Sequence, residues 1–530
     1  MILLTGRGPG MSNEIARQQA LALFENFAVE ATSLVSYQSA GKLLALGDAK
    51  ALSRCAELPD SIDVETVEVI PGQVRIQGHL GAYQVEIGDG HGAWQKRAAD
   101  AILDLGETPL LAREMLPPGY FHVPSASWAE ADLTEFEALR GEFQKPRYFD
   151  YDASICAHSV NGKIACRQCI DACPAGAIQS LAERIEVDPF LCQGGGSCAT
   201  VCPSGAIRYL YPNLRDNGKR LRDTLKCYAE QGGKNPIVFF HSDNFAPRDY
   251  LQAYDNLLPM RVEEIGSVGM DLCLSALAFG ATQVVLYVDA DAPATAVANL
   301  RDHLGWVREL LIALGLEPDC IELCSNEAAL PAVEQVPAIV AAEYDMPLAK
   351  RNAILQAVDY LVAQLRPAAD EAELPAPAPF GEAIIDAGKC TLCMACVGAC
   401  PGRALQDGSN REVPEVFFIE SNCLQCSACV QTCPEDAIRL SPRLLLQREA
   451  RNRGRALNQD KPFHCIACGK PFASTSVISK MQEKLKDHYM FSSGRALDRL
   501  KMCEDCRVVD IVDDPEALGG QFDPRNRFRQ

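Results

Sequence analysis

Two apolar rhythms alternate along this chain. From Glu14 to Glu30 the apolar residues fall at helical spacing, so a helix is expected there. Gln73-Val-Arg-Ile-Gln and Tyr83-Gln-Val-Glu-Ile alternate apolar with polar as strands do, and Gly78 and Gly81 between them suit the turn of a hairpin. Another helix is expected over Trp94 to Leu105. Further on, short buried-strand patterns stand at Pro236-Ile-Val-Phe-Phe, Met260-Arg-Val-Glu-Glu-Ile, Thr282-Gln-Val-Val-Leu-Tyr-Val and Cys320-Ile-Glu-Leu-Cys. Helical patterns over Gly269–Phe279, Ala294–Leu314 and Ala349–Leu365 lie between or after them. Strand alternating with helix predicts a parallel sheet.

Function in such a sheet gathers at the carboxyl ends of its strands, here near His241-Ser-Asp243, Ser267-Val-Gly269 and Asp289. Loop and capping chemistry is the plainer account of those residues. The near-apolar run Leu272–Val288 is short for a membrane span, and Gly280-Ala-Thr-Gln breaks it where a helix would hand over to a strand. Residues 368–381, with the sequence AADEAELPAPAPFG, read as a Pro/Ala/acidic linker. The expected organisation is a mixed α/β domain (1–147), a cysteine-rich module (148–230), a parallel α/β domain (231–367), the linker, a second cysteine-rich module (382–445), and a helical region with cysteine knuckles (446–530).

Composition narrows the function. The 530 residues carry a net charge of −20, which opposes nucleic-acid binding and favours a partner with a basic docking patch. The opening MILLTGRGPGMSNE lacks the charged and apolar regions of an export signal, so a cytoplasmic location is expected. In that compartment 24 cysteines argue for metal ligation over disulfides. The glycines of Ile2–Gly10 are wrongly spaced for a nucleotide loop.

The cysteines are patterned. Cys-x2-Cys-x2-Cys-x3-Cys-Pro occurs twice between Cys390 and Pro434, the spacing of a bacterial two-cluster ferredoxin. Three thiolates of one loop reach one cubane, while the fourth, ahead of a Pro expected to open a short helix, serves the neighbouring cluster. One 4Fe-4S cluster is thus expected on Cys390, Cys393, Cys396 and Cys433, and another on Cys423, Cys426, Cys429 and Cys400. Zinc or disulfides are the weaker account of eight cysteines at this spacing.

An altered copy lies upstream. Lys163 stands where the first cysteine of Cys166-x2-Cys169-x3-Cys173-Pro should be, and Gly195 where the second of the next motif should be. CPAGAI, CPSGAI, CPGRAL and CPEDAI, at 173, 202, 400 and 433, form an internal repeat whose small alanines suit a helix packed closely on a cluster. One 4Fe-4S cluster is expected on Cys156, Cys166, Cys169 and Cys202. The other site has Cys192, Cys198 and Cys173 alone, which leaves a 3Fe-4S cluster, a 4Fe-4S cluster with a non-cysteine ligand, or an empty site.

Near the C-terminus, Cys465-x2-Cys468 and Cys503-x2-Cys506 form two knuckles suited to a tetrahedral site in a zinc-ribbon-like element. Zinc is expected there, with a rubredoxin-like iron as alternative and His464 or His488 as substitute ligands. A helix from Phe472 to Leu497 is expected over the site. Cys55, Cys227, Cys273, Cys320 and Cys324 have no motif and read as packing residues.

The segments KPRYFDYDASICAHSVNGKIACRQCIDACP, LCQGGGSCATVCPSGAI, CTLCMACVGACP, CLQCSACVQTCPEDAI and HCIACGKPF resemble those of a family of proteobacterial 4Fe-4S ferredoxin-type iron-sulfur cluster-binding proteins. The resemblance covers most of the chain from residue 145. Gly195 departs from the cysteine its relatives would carry. Residues 231–367 are loosely similar to the iron-sulfur subunit that links hydrogenases to heterodisulfide reductase, without its cysteines in register. The resemblance implies a link with formate dehydrogenase systems. A relay of single electrons between redox proteins is the expected function. The alternatives are an oxidoreductase with a substrate or flavin site in the α/β domain, and a maturation or regulatory factor.

Overall fold

Fully buried strands set the frame of the first half of the protein. The structure, a computed structural model, describes residues 11–514 except 125, 131–132, 161–162, 243–247, 326–329, 331–332, 334–338, 409–412, 489–490 and 492–493. The glycine-rich opening Ile2–Gly10 and Asp243 lie outside the described residues. Contacts divide the chain into one unit of Met1–His158 with Arg167–Ala369, and another of Ser159–Cys166 with Asp370–Gln530.

In the first unit, Lys42–Gly47 is an inner strand of a parallel sheet ordered Asp63–Glu68, Lys42–Gly47, Ala101–Asp104, Tyr120–His122. The expected hairpin is present: Val74–Gln77 pairs antiparallel with Tyr83–Gly88, and Gly78 and Gly81 both take positive φ. Gly81 needs it, because a Cβ there would lie 1.9 Å from the Gln38 carbonyl oxygen. The helix expected over Trp94 to Leu105 is instead two strands. Trp94–Ala99 adds to the hairpin, and Ala101–Asp104, buried on both faces, joins the parallel sheet. An alanine-rich run that is buried all round suits a central parallel strand as well as a helix, and pairing decides. The N-terminal helix runs Met11–Glu25, shorter than its apolar pattern.

The parallel α/β domain is present, with strands ordered Leu257–Arg261, Ile237–His241, Gln283–Val288, Ile321–Ser325. Its first edge strand lies three residues upstream of the Met260 start expected. Pro259 is tolerated because that strand is at the edge. The run flagged as a span resolves into the buried helix Met270–Ala278 and strand Gln283–Val288. No described helix is long and apolar enough to cross a membrane.

Both cysteine-rich modules share one plan. In the first, Phe149–Tyr151 pairs with Ile207–Tyr209, and Ile178–Ser180 with Ile185–Val187. In the second, Gly381–Ile385 pairs with Ile438–Leu445, and Leu405–Asp407 with Glu415–Phe418. The stretch expected to be a linker belongs to this second sheet. Glu371–Glu373 pairs with Arg443–Leu445, and Leu374, Ala378 and Phe380 are buried. Arg443 ties it down, reaching Glu371 at 3.2 Å, Glu382 at 2.9 Å and the buried Glu420 at 2.9 Å. After residue 445 the helices Arg448–Asn452, Thr475–Leu485, Gly494–Arg499 and Glu504–Val512 are accompanied by three short strands, Arg455–Gln459, Pro462–His464 and Pro471–Ser474.

Candidate metal centres

The repeated cysteine loops fold alike. In each motif a one-turn helix carries the third cysteine: Gln168–Asp171, Ser197–Val201, Ala395–Gly398 and Ala428–Thr432 hold Cys169, Cys198, Cys396 and Cys429. The helix therefore precedes the Cys-Pro pair. The expectation that the Pro opens a helix is corrected, because Cys-Pro begins a turn that runs into a strand. The alanines of the repeat have a different use from helix packing. Ala177, Ala404 and Ala437 donate their N–H to the Sγ of Cys173, Cys400 and Cys433, at 3.4, 3.2 and 3.3 Å. In the fourth copy Ser204 intervenes, 3.6 Å from Cys202 Sγ, and its Oγ accepts the Ala206 N–H at 3.3 Å. Serine in CPSGAI was the available signal.

In the second unit, Leu392, Met394, Gln425 and Ser427 take φ of 57°, 60°, 53° and 64°. Such left-handed turns aim successive N–H groups inward, as in anion-binding nests, at a cost non-glycine residues rarely bear. Burial pushes the Cys396 thiol up to about 12, and Cys390, Cys393 and Cys433 add to it. Burial likewise raises Cys429, with Cys423, Cys426, Cys400 and then Cys396 contributing. Cys396 thus lies among Cys390, Cys393 and Cys433, and Cys429 among Cys423, Cys426, Cys400 and Cys396. Cys400, Cys423, Cys426 and Cys429 line a hollow. Thiols this crowded would repel as thiolates, so a bound cationic centre is what would stabilise the set, and the donor chemistry fits an iron-sulfur cluster.

In the first unit, burial holds Cys198 well above a free thiol, with Cys192, Cys173, Cys169 and Cys202 adding to the shift. Cys198 therefore lies among Cys192, Cys173, Cys169 and Cys202. Tyr151, raised by burial and then by Cys156 and Cys169, marks those two as neighbours. Cys166 ends the segment counted with the second unit. Around Gly195 the loop keeps its shape: Gly194 and Gly196 have φ of 81° and 73°, where Gln425 and Ser427 hold the matching positions. Lys145 donates to the Cys192 carbonyl at 2.7 Å and to that of Phe190 at 2.9 Å.

Cys465, Cys468, Cys503 and Cys506 place all their sulfurs within 4.8 Å of one another. The Cys468–Cys503 separation is 3.8 Å. Four thiolates at about 2.3 Å from a tetrahedral ion stand about 3.8 Å apart, so this group could hold a metal. Burial works to raise Cys465, but N–H groups of Cys503, Cys468 and Ala467 outweigh it and bring the thiol to about 6. The first knuckle lies between the strands Pro462–His464 and Pro471–Ser474, with Gly469 at φ 75°. The second does not complete a ribbon, because Cys503 caps the helix Glu504–Val512. His464 and His488 are not in the group of four. Thr475–Leu485 and Gly494–Arg499 replace the single helix expected.

All 24 cysteines are unbridged. Cys55, Cys273, Cys320 and Cys324 are buried, and Cys227 is partly so. At the carboxyl end of the parallel sheet, Ser242 donates to Asp289 at 2.6 Å. The cavity there, about 310 Å³, is lined by Glu114, Glu263, Glu264, Asp289 and Asp291. A second cavity of about 240 Å³ lies beside Thr200, Asn213, Asp271 and Lys350. Lys350 donates to the Ala199 carbonyl at 2.9 Å and to that of Thr200, which caps the helix carrying Cys198.

Two family models, each described as a 4Fe-4S dicluster domain, match the chain over residues 137–206 and 372–438. No curated protein matches it. The chain therefore carries two 4Fe-4S ferredoxin-type modules, and these support an iron-sulfur electron-transfer role.

Proposed function

We propose that this protein relays single electrons between redox partners through clusters held in both modules, with a formate dehydrogenase-type system in the cytoplasm as the setting. The observation that carries the reading is the interlocked gathering of Cys390, Cys393, Cys396 and Cys433 beside Cys423, Cys426, Cys429 and Cys400. These eight are the ligands of two 4Fe-4S clusters. In the first module, Cys156, Cys169 and Cys202 belong to a third cluster, and Cys173, Cys192 and Cys198 to a fourth. When bound, the clusters supply the one-electron chemistry. The protein's own groups hold the thiolates and direct N–H donors at their sulfurs, which tunes potential. Cys465, Cys468, Cys503 and Cys506 hold zinc as a structural ion.

A substrate or flavin enzyme is less well supported. Carboxylates crowd the sheet end where a phosphate would bind, and the cavity of about 240 Å³ is smaller than the roughly 300 Å³ at which ligand pockets begin. The test is an anaerobic pull-down with metal analysis. A co-purifying dehydrogenase that reduces the clusters, with zinc at about one equivalent, is the expected result. Clusters that no dehydrogenase reduces would sink the relay.

A further inference from the structure

The loop from Cys192 to Cys198 keeps a cluster-binding backbone but lacks a thiol at position 195, and the neighbourhood of that position is filled. A Cβ on Gly195 would lie 3.3 Å from the Sδ of Met115 and 3.4 Å from Cγ of Pro174. Met115 comes from far upstream, yet it is held there from two sides. Its N–H donates to the carbonyl of Pro174 at 3.1 Å, immediately after Cys173, and Gln193 in the loop donates to the carbonyl of Leu116. The sulfur thus stands beside the position that a cysteine at 195 would occupy, on the loop that runs from Cys192 to Cys198.

A thioether is a soft donor of the kind iron-sulfur centres accept, and it is neutral. From this we infer that Met115 supplies the fourth ligand of the cluster held by Cys173, Cys192 and Cys198. This rests on the reading that those three thiolates hold a cluster. A cluster ligated by three thiolates and a thioether carries one negative charge fewer than its all-cysteine neighbours, so it is the more readily reduced of the set. It also has one weak bond. Its fourth iron is the one that leaves first.

The experiment uses the full chain, purified anaerobically, with iron analysis and EPR of the oxidised protein, in which a 3Fe-4S cluster gives a signal and a 4Fe-4S cluster does not. Met115→Leu keeps the volume and removes the donor. It should lower iron by about one per chain and bring up the 3Fe-4S signal. Gly195→Cys in the Met115→Leu background should restore the iron and abolish the signal. In selenomethionine-labelled protein, selenium X-ray absorption should show an iron neighbour that Met115→Leu removes. The inference is overturned if the wild-type protein already gives the 3Fe-4S signal and Met115→Leu changes neither signal nor iron. The underlying reading fails separately if Cys198→Ser leaves iron and spectra as they were, and the ligand role of Met115 falls with it.

Discussion

The loops Cys192–Cys198 and Cys423–Cys429 have the same backbone and different chemistry. One bears its left-handed turns on Gly194 and Gly196, the other on Gln425 and Ser427. One has lost its middle thiol, the other has kept it. The comparison separates two demands that a cluster motif usually meets together. Backbone curvature aims the amides, and the cysteines bind the irons. A loop can keep the first after giving up part of the second. In the intact loop the non-glycine residues are held in place by contacts of their own: Gln425 donates to the Glu382 carbonyl and to Cys423 Sγ, both at 3.3 Å.

The largest effect should come from the ligands. Cys396→Ser and Cys433→Ser should each cost up to about four irons per chain and erase the same EPR signal of the reduced protein, while Cys429→Ser and Cys400→Ser erase the other. Losses that pair Cys433 with Cys429 instead would undo the interlocked assignment.

The next contrast is between matching strand pairs. Arg443 bridges three carboxylates, including buried Glu420, whereas Arg208 meets Asp150 with both side chains more than two-fifths exposed. Arg443→Met should lower stability by about 3 kcal/mol, and Arg208→Met by less than about 1 kcal/mol. Hydrogen exchange on the two modules would read the difference.

Smaller still is the cost of refilling a glycine. A Cβ on Gly194 would lie 2.8 Å from the Tyr148 ring. Gly194→Ala should destabilise the first module by about 2 kcal/mol. Gln425→Gly, which relieves a left-handed residue but forfeits its two hydrogen bonds, should shift the second module by less than about 1 kcal/mol. Equal shifts would mean that the loops are not conformational equivalents.

A further effect, which grows only as the medium turns acid, is the pH sensitivity of the first unit. Burial, with Lys350 adding, lowers His303 from 6.5 to about 3. A base that stays neutral when folded contributes fully above its unfolded value and loses that contribution as pH falls from 6.5 toward 3. At about pH 5.5 the loss is about 1.4 kcal/mol. His303→Gln should flatten this slope in denaturation curves.

Much of this was legible in the sequence. Cluster chemistry fixes ligand spacing, so the two ferredoxin-type modules could be located from the cysteine positions alone. The parallel strands were readable because burial on both faces leaves unbroken apolar runs. What escaped was decided by partners distant in the chain. Trp94–Asp104 became strands because the hairpin and Lys42–Gly47 offered edges to pair with. Pro and Ala in 368–381 concealed buried Leu374 and Phe380. Met115 carries no motif, and only folding brings its sulfur to Gly195.

The strand Glu371–Glu373 has a practical consequence for anyone dissecting this protein. A fragment cut at Gly381, where the cysteine module begins in sequence, would strip an edge from Arg443–Leu445, remove the Leu446 N–H bond to the Asp370 carbonyl, and delete one of the acids around Arg443. A cut before Asp370 keeps all three. Even that piece omits Ser159–Cys166, which groups with this unit from far away in the sequence. The compact unit that holds the second module is therefore not a continuous length of chain.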